Sequence, residues 1–271
     1  MTGSPRTDMV IRIAALDLDG TLIDADEQPY EGVVAGLGAL RRRGVVPLII
    51  SGRTARSFRD LAHLDDLFAE VDDEVLLSEG NVRLARGADL LSYPRTCSPA
   101  VLRRLVDDDP GIDLVAEWSG LLHATTARAA AQFAMGYRLP RRHIPVTGPA
   151  TAEGPRFTAV TVFRSRTPVP DLVAGLDCEI AAVGPFGAQV VRPRGTGKAA
   201  ALVRHLRRRF GEPDLGRTLA IGDGAADAAM LSACAVSAAP RHADAAAADA
   251  ADRHLQDDLA SFLHDFRPER W

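Results

Sequence analysis

Cysteine is scarce in this sequence. Only Cys97, Cys178 and Cys234 occur in 271 residues. They lie far apart and form no C-x-x-C pair, which argues against a disulfide framework or a cysteine-based zinc site and fits a reducing compartment. Each reads as a small buried apolar residue rather than a reactive thiol. A basic surplus is also missing. The 32 Lys and Arg are outnumbered by 36 Asp and Glu, giving a net charge of -4, so nucleic acid is not an expected partner. No apolar run is long enough to span a bilayer, and near the N-terminus Arg12 and Asp17 interrupt the only candidate. The expectation is a cytoplasmic protein that does not use a membrane. Internal repeats are absent too.

What is present is a rhythm of strands and helices. Residues 9–18 read as a buried strand, 31–43 as a helix stopped by Gly44, and 45–50 as a second buried strand. "SGRTARSFRDLAHL" reads as a turn into a helix, and "DEVLLS" at 73–78 as a third strand. Strand, helix, strand, helix, strand predicts right-handed crossovers and a parallel, doubly wound α/β sheet. From 83 to 189 the strands look shorter and more exposed. A helix is predicted near 126–138, and Pro140, Pro145, Gly148, Pro149, Gly154 and Pro155 punctuate the stretch. That pattern predicts an inserted α+β cap domain at 83–189 between two core segments, 1–82 and 190–271. After it the first rhythm resumes, with helices near 197–210, 225–233 and 241–251 and strands at "RTLAIGD" and 235–238.

Four short stretches could carry chemistry. In "IAALDLDGTLID" a buried strand runs into Asp17 and Asp19. Two carboxylates side by side repel and are costly to desolvate without a cation or strong donors. Side chains two apart on a strand cannot easily chelate one small ion unless the backbone bends, which Gly20 permits. One carboxylate and the other residue's backbone carbonyl could then hold an ion, leaving the second carboxylate for proton transfer. In "IISGRT", Ser51 sits between a strand and a helix, where a hydroxyl caps the helix or meets an anion. Lys198 in "RPRGTGKAAAL" falls at a helix start, an unfavourable place for a cation unless an anion binds there. The stretch is a poor P-loop, with Arg192 where glycine is needed and Ala199 where Ser or Thr is needed. In "LAIGDGAADAAML", Asp223 ends another buried strand and Asp227 follows in the first helical turn, where capping alone would also suit it. Ends of parallel strands share one sheet edge, where such folds bind ligands.

Taken together these stretches resemble the haloacid dehalogenase-like (HAD) phosphohydrolases. "DLDGT", "SGR", Lys198 and "GDGAAD" are similar, in order, to the superfamily's four motifs. The insert between the second and third motifs is similar in place to the large caps of the Cof-type and sugar-phosphatase branch. The resemblance implies a phosphoric monoester hydrolase using Mg²⁺ and an aspartyl-phosphate. Asp17 would be the nucleophile, and Asp19 the acid and base whose backbone carbonyl also ligates the metal. Ser51, Gly52 and Lys198 would hold phosphate oxygens, and Asp17, Asp19 and Asp223 would hold the metal, with Asp227 as a further ligand or a support behind the ligands. Two positions depart from the branch: Ala226 and Pro240 stand where asparagines are usual.

The implied substrate is a small phosphate ester (sugar, polyol or nucleoside), and the expected state is a monomer or homodimer. Arg53, Glu79, Asn81, Arg192 and Arg194 flank predicted strand ends and are the expected substrate contacts. Arg142, His143, Arg164 and Arg166 are further cap positions that could meet a polar substrate. A sugar phosphomutase and a non-catalytic binding protein are the alternative readings.

Overall fold

The computed structural model describes residues 10–118, 120–137, 139–148, 156–181 and 185–269. Its first segment contains β1 (Ile13–Leu16), α1 (Val33–Arg42), β2 (Val46–Ile49), α2 (Ala55–Arg59), α3 (Asp65–Ala69), β3 (Glu74–Leu77), β4 (Val82–Ala85) and β5 (Leu90–Ser92). The middle contains α4 (Pro99–Asp108), β6 (Asp113–Trp118), β7 (Leu121–Ala124), α5 (Ala127–Gly136), β8 (Ala159–Arg164), α6 (Val169–Leu172), β9 (Glu179–Ala181) and β10 (Gln189–Arg192). The last segment holds α7 (Lys198–Phe210), β11 (Thr218–Ile221), α8 (Ala228–Ala233), β12 (Val236–Ala239), α9 (Ala245–Ala250), β13 (Arg253–His254) and α10 (Leu259–Asp265). Of the punctuating residues, Pro149, Gly154 and Pro155 lie outside the described residues.

A five-stranded parallel sheet, ordered β13-β12-β11-β1-β2, forms the core. Strands covered on both faces must be apolar throughout, as the buried "IAAL" of β1 is. Ala14 and Leu16 pack toward α1 and α10, while Ile13 and Ala15 pack toward α7, α8 and α9. Register sets the chemistry. Leu16 lies opposite both Ile221 and Ile49, so Asp17, Asp223 and Ser51 all emerge within two residues of one level on the carboxyl edge.

β3 departs from the expected pattern. It meets β2 in parallel only at the Ile50–Leu76 bridge, and its regular ladder is an antiparallel one with β4 and, beyond it, β5. The four-residue connection after Leu77 explains this, because it is too short for a crossover and forces a hairpin. The "SGRTARSFRDLAHL" region also splits into two short helices rather than one.

The middle segment folds as an antiparallel sheet ordered β7-β6-β8-β10-β9. α4 and α6 cover one face; α5 packs on part of the other. Boundaries at 83 and 190 fall inside β4 and β10. Val82 and Leu84 of β4 pack with the parallel-sheet core, and Val191 of β10 packs in the cap. Alternation along the strands buries Leu114, Ala116, Val160, Val162 and Val191 under α4 and α6. Glu117, Ala159, Thr161, Val190 and Arg192 therefore share the opposite face, which looks onto the core's strand-end edge.

Candidate active site

A cleft of about 870 Å³ separates that cap face from the core edge. Its floor is the acid cluster. Asp17 and Asp227 are buried, and ligand oxygens of Asp17, Asp223 and Asp227 all lie within 4.8 Å of one another. Lys198 Nζ donates to Asp17 Oδ1 at 2.6 Å and to Asp227 Oδ1 at 2.7 Å. The lysine reaches this point because Gly197, at φ 108°, starts α7 directly below the cluster. Thr21 Oγ1 donates to Asp223 Oδ1 at 2.9 Å, and Gly224 N–H donates to Asp227 Oδ2 at 3.1 Å. Gly20 is irreplaceable by size. It has φ 78°, and a Cβ there would lie 2.2 Å from Asp223 Oδ2.

Burial opposes the Lys198 ammonium, but Asp17 and Asp227 outweigh it and hold its pKa well above the ordinary lysine value. For Asp17 burial dominates, only partly offset by Lys198, and its pKa is pushed well up. Asp223 is also raised, again chiefly by burial. One ammonium cannot balance three clustered carboxylates, so the cluster carries an uncompensated negative charge. All its donor atoms are hard oxygens. Both features fit a small divalent cation, which Asp17, Asp223 and Asp227 could hold.

The other expected residues divide. Asp19 is set apart from the acid cluster. Its carboxylate is 45% exposed and gripped by Arg53, with Nη2 at 2.6 Å and Nε at 2.9 Å. Arg53, expected to touch substrate, is thereby occupied by Asp19 and by Glu27 at 2.7 Å. Ser51 is fully buried, and its hydroxyl accepts the Arg53 N–H at 3.0 Å in the turn before α2; the cap of α2 is Thr54, whose hydroxyl accepts the Ser57 N–H at 3.1 Å, and Gly52 rather than Ser51 lines the cleft. Glu79 and Asn81 line the cleft as well. Burial raises the Glu79 pKa, with Lys198 the main opposing influence. Arg192 lines it too, paired with Glu179 at 2.9 Å across the β10–β9 ladder and lying over Gly197.

Arg194 is a correction. Its side chain is 63% exposed, sits 3.7 Å from Asp177, and is not part of the cleft wall. The reason is local: Pro193 ends the strand alternation that turns Arg192 inward. Arg142, His143, Arg164 and Arg166 also stay out of the cleft. His143 makes a cap-to-core contact instead, 3.1 Å from Asp60 and 3.3 Å from Arg56.

Sequence reasoning missed several supports. Asp244 accepts the Ala225 N–H at 2.7 Å, donates its own N–H to Asp223 O at 2.8 Å, and caps α9 through Ala247. It braces the 223–227 loop where Ala226 and Pro240 offer no side-chain polarity. A helix-capping Asp was legible there; its second task was not. Ser78 and Glu117 were also missed. The Ser78 hydroxyl lies 2.7 and 2.9 Å from the two Glu117 carboxyl oxygens, and burial pushes the Glu117 pKa up to about 7. Nothing in "LVAEWSG" distinguishes that glutamate from a surface one.

No protein-family model matches the sequence, and no curated protein matches it. Solved structures do. One is a HAD subclass IIB sugar phosphatase, at TM-score 0.74 and 19% identity over 92% of this chain and 96% of that one. Another is a haloacid dehalogenase-like hydrolase from Bacteroides thetaiotaomicron, at TM-score 0.73 and 18% identity over 93% and 98%. A further HAD phosphatase from the same organism gives TM-score 0.73 and 20% identity over 92% and 91%. The chain thus has the fold of the HAD superfamily hydrolases, cap included.

Proposed function

We propose that the protein is a Mg²⁺-dependent phosphatase that hydrolyses a small phosphorylated metabolite through an aspartyl-phosphate on Asp17. The observation that carries this reading is the Lys198 ammonium held between Asp17 and Asp227, with Asp223 in the same cluster. The fold shared with HAD phosphatases supports it.

Asp17 Oδ attacks phosphorus, forming an O–P bond as the ester O–P bond breaks. Asp19, once freed from Arg53, takes up a proton from solvent and gives it to the departing alkoxide. Asp19, now anionic, removes a proton from water, which attacks phosphorus and releases Asp17 and inorganic phosphate. For this sequence Asp19 must leave the Arg53 grip, which the arriving phosphate dianion can loosen by competing for the guanidinium. Lys198 and the Gly52 backbone steady the phosphoryl oxygens, and the cap excludes bulk water. Bound Mg²⁺ would screen the negative charge that nucleophile and phosphate share.

The test is phosphate release from sugar, polyol and nucleoside phosphates and an aryl phosphate, with Mg²⁺ and then with chelator. Mg²⁺-dependent release that Asp17→Asn eliminates is expected. No release from any ester, or equal release by Asp17→Asn, overturns the reading. Phosphoryl transfer within one sugar without net release would instead indicate a mutase.

A further inference from the structure

A second cavity, of about 270 Å³, lies between α7, the β3–β4 hairpin and the chain where it leaves β5 for the cap, and it shares no wall residue with the cleft. Three guanidinium groups line it, those of Arg83, Arg204 and Arg208. Among the described residues Glu74 is the one carboxylate paired with any of them, 3.5 Å from Arg83 Nη1 and in contact with Arg208. Arg204 spends its Nη1 and Nη2 on the carbonyls of Gly195 at 3.1 Å and Gly80 at 3.2 Å, and its Nε is buried with no partner. Burial lowers its pKa, and the charge of Arg95 adds to that. His205, 4% exposed, also lines the cavity; its Nδ1 lies 3.4 Å from Glu74 without a hydrogen bond. Burial lowers the His205 pKa to about 4, so the ring is neutral at pH 7 and the charge of the cavity is that of the arginines.

Three guanidinium groups against one carboxylate leave two positive charges uncompensated around one cavity, in a chain whose net charge is -4. Like charges gathered in a partly desolvated space repel, and an anion arriving there relieves the repulsion. The planar donor fork of arginine matches the oxygens of a phosphate, and two surplus charges match a dianion. The site is also rigid. Arg204 is held from both sides by backbone carbonyls, so little side-chain freedom remains to be lost on binding. The turn it grips cannot drift, because Gly80, at φ 79°, is packed so closely on α7 that a Cβ there would lie 1.9 Å from the Ala201 Cβ. Tyr93 and Pro94 supply an apolar wall for whatever the anion carries.

We infer that this cavity is a second binding site, separate from the acid cluster, that takes a phosphate dianion between Arg83, Arg204 and Arg208. Inorganic phosphate and the phosphoryl group of a small ester share that chemistry. The site lies where the chain crosses between core and cap. Tyr93 and Pro94 belong to the first crossing, and Gly195, which Arg204 grips, belongs to the second. It does not depend on the phosphatase reading, because no residue of the acid cluster takes part in it.

The test is calorimetric titration of the full chain with inorganic phosphate in chelator, where the acid cluster has no metal and repels the dianion. One phosphate per chain is expected, bound at least about tenfold tighter than acetate at equal ionic strength. Arg204→Gln should weaken it about tenfold or more. Arg208→Gln changes a side chain that is 44% exposed, so it keeps the answer available if the first variant fails to fold, and it should weaken phosphate in the same direction. Glycerol 3-phosphate, titrated alongside, identifies the source: tighter binding than inorganic phosphate assigns the site to an ester, weaker binding to the free ion. Asp17→Asn should bind phosphate as the unmodified protein does. No saturable binding, an affinity that neither arginine variant moves, or a change in Asp17→Asn that places the ion in the cleft overturns the inference. Phosphate release from an aryl ester with Mg²⁺ would leave the phosphatase reading standing in each of those cases.

Discussion

At the core edge of the cleft, three carboxylates and one ammonium crowd together and each is held by named neighbours. Thr21 orients Asp223, Lys198 bridges Asp17 and Asp227, and Asp244 fixes the loop that carries two of them. Across the cleft, the cap face offers one buried carboxyl, Glu117, among Ala159, Thr161 and Val190, within reach of the Ser78 and Thr158 hydroxyls. The first wall is a tightly coupled site in which three carboxylates share one ammonium, so removing any member exposes the others. The second is sparse, and its one carboxyl has hydroxyl neighbours but no cation paired with it. The proposed chemistry draws on the first wall, and the second faces it across the cleft.

The sharpest way to break that division is Asp17→Asn. If the core edge alone performs the chemistry, phosphate release should fall by about 10³-fold or more on every ester. A loss confined to some esters would mean that the cap shares in the reaction. Next in size is Lys198→Met, which leaves Asp17 and Asp227 buried without their cation. The expected cost is about 3–5 kcal/mol, read as a Tm decrease on the order of 10 °C. Excess Mg²⁺ should recover part of it, because a second cation then offsets the same carboxylates. An unchanged Tm would show that Lys198 does not offset the buried carboxylates as described.

The cap wall is tested by pH. The Glu117 pKa is raised from an ordinary 4.5 to about 7, chiefly by burial. Between those values the folded protein holds a proton that the unfolded chain has released, so stability falls as pH rises from about 4.5 through about 7. Glu117→Gln removes this dependence. Against the unmodified protein it should gain stability on the order of 3 kcal/mol at pH 8 and little at pH 4. Parallel stability curves for the two proteins would refute the buried-carboxyl description.

A smaller effect is expected for Asp244→Ala, which removes the brace on the 223–227 loop. Loss of the α9 cap should cost about 1 kcal/mol, and Mg²⁺ affinity should fall roughly 10-fold or more. Calorimetric titration with Mg²⁺ measures the second effect. Full affinity would show that the loop holds its carboxylates unaided.

These contrasts also explain what could be read from the chain. The core edge was legible because its residues sit at fixed offsets from apolar strands. "IAALD" and "LAIGD" end adjacent parallel strands, so Asp17 and Asp223 had to meet wherever the register fell. The Lys198 contact was legible because a cation at a helix start needs a nearby anion. β3 was misread since nothing before Leu77 says that a short turn will draw the next strand back into a hairpin. Glu117 and Ser78 were invisible because their meeting depends on how cap and core pack, 39 residues apart in sequence. Asp244 fell inside the helix expected near 241–251 and instead caps α9, and its hold on Ala225 comes from a loop crossing that no local pattern encodes.

Arg194 gives the smallest prediction and the tightest limit on the comparison. It stands two residues beyond Arg192, and strict strand alternation would have put both guanidinium groups on the cleft face. Pro193 ends the ladder between them, and Arg194 turns out to solvent toward Asp177. An exposed pair at 3.7 Å contributes between nothing and about 1 kcal/mol. Arg194→Ala should therefore leave kcat/KM within about twofold on every ester and Tm nearly unchanged. Arg192→Ala, by contrast, should raise KM, since its side chain lines the cleft over Gly197. Equal losses in the two variants would mean that the cap closes further over substrate than this arrangement shows, bringing residue 194 onto the cleft wall.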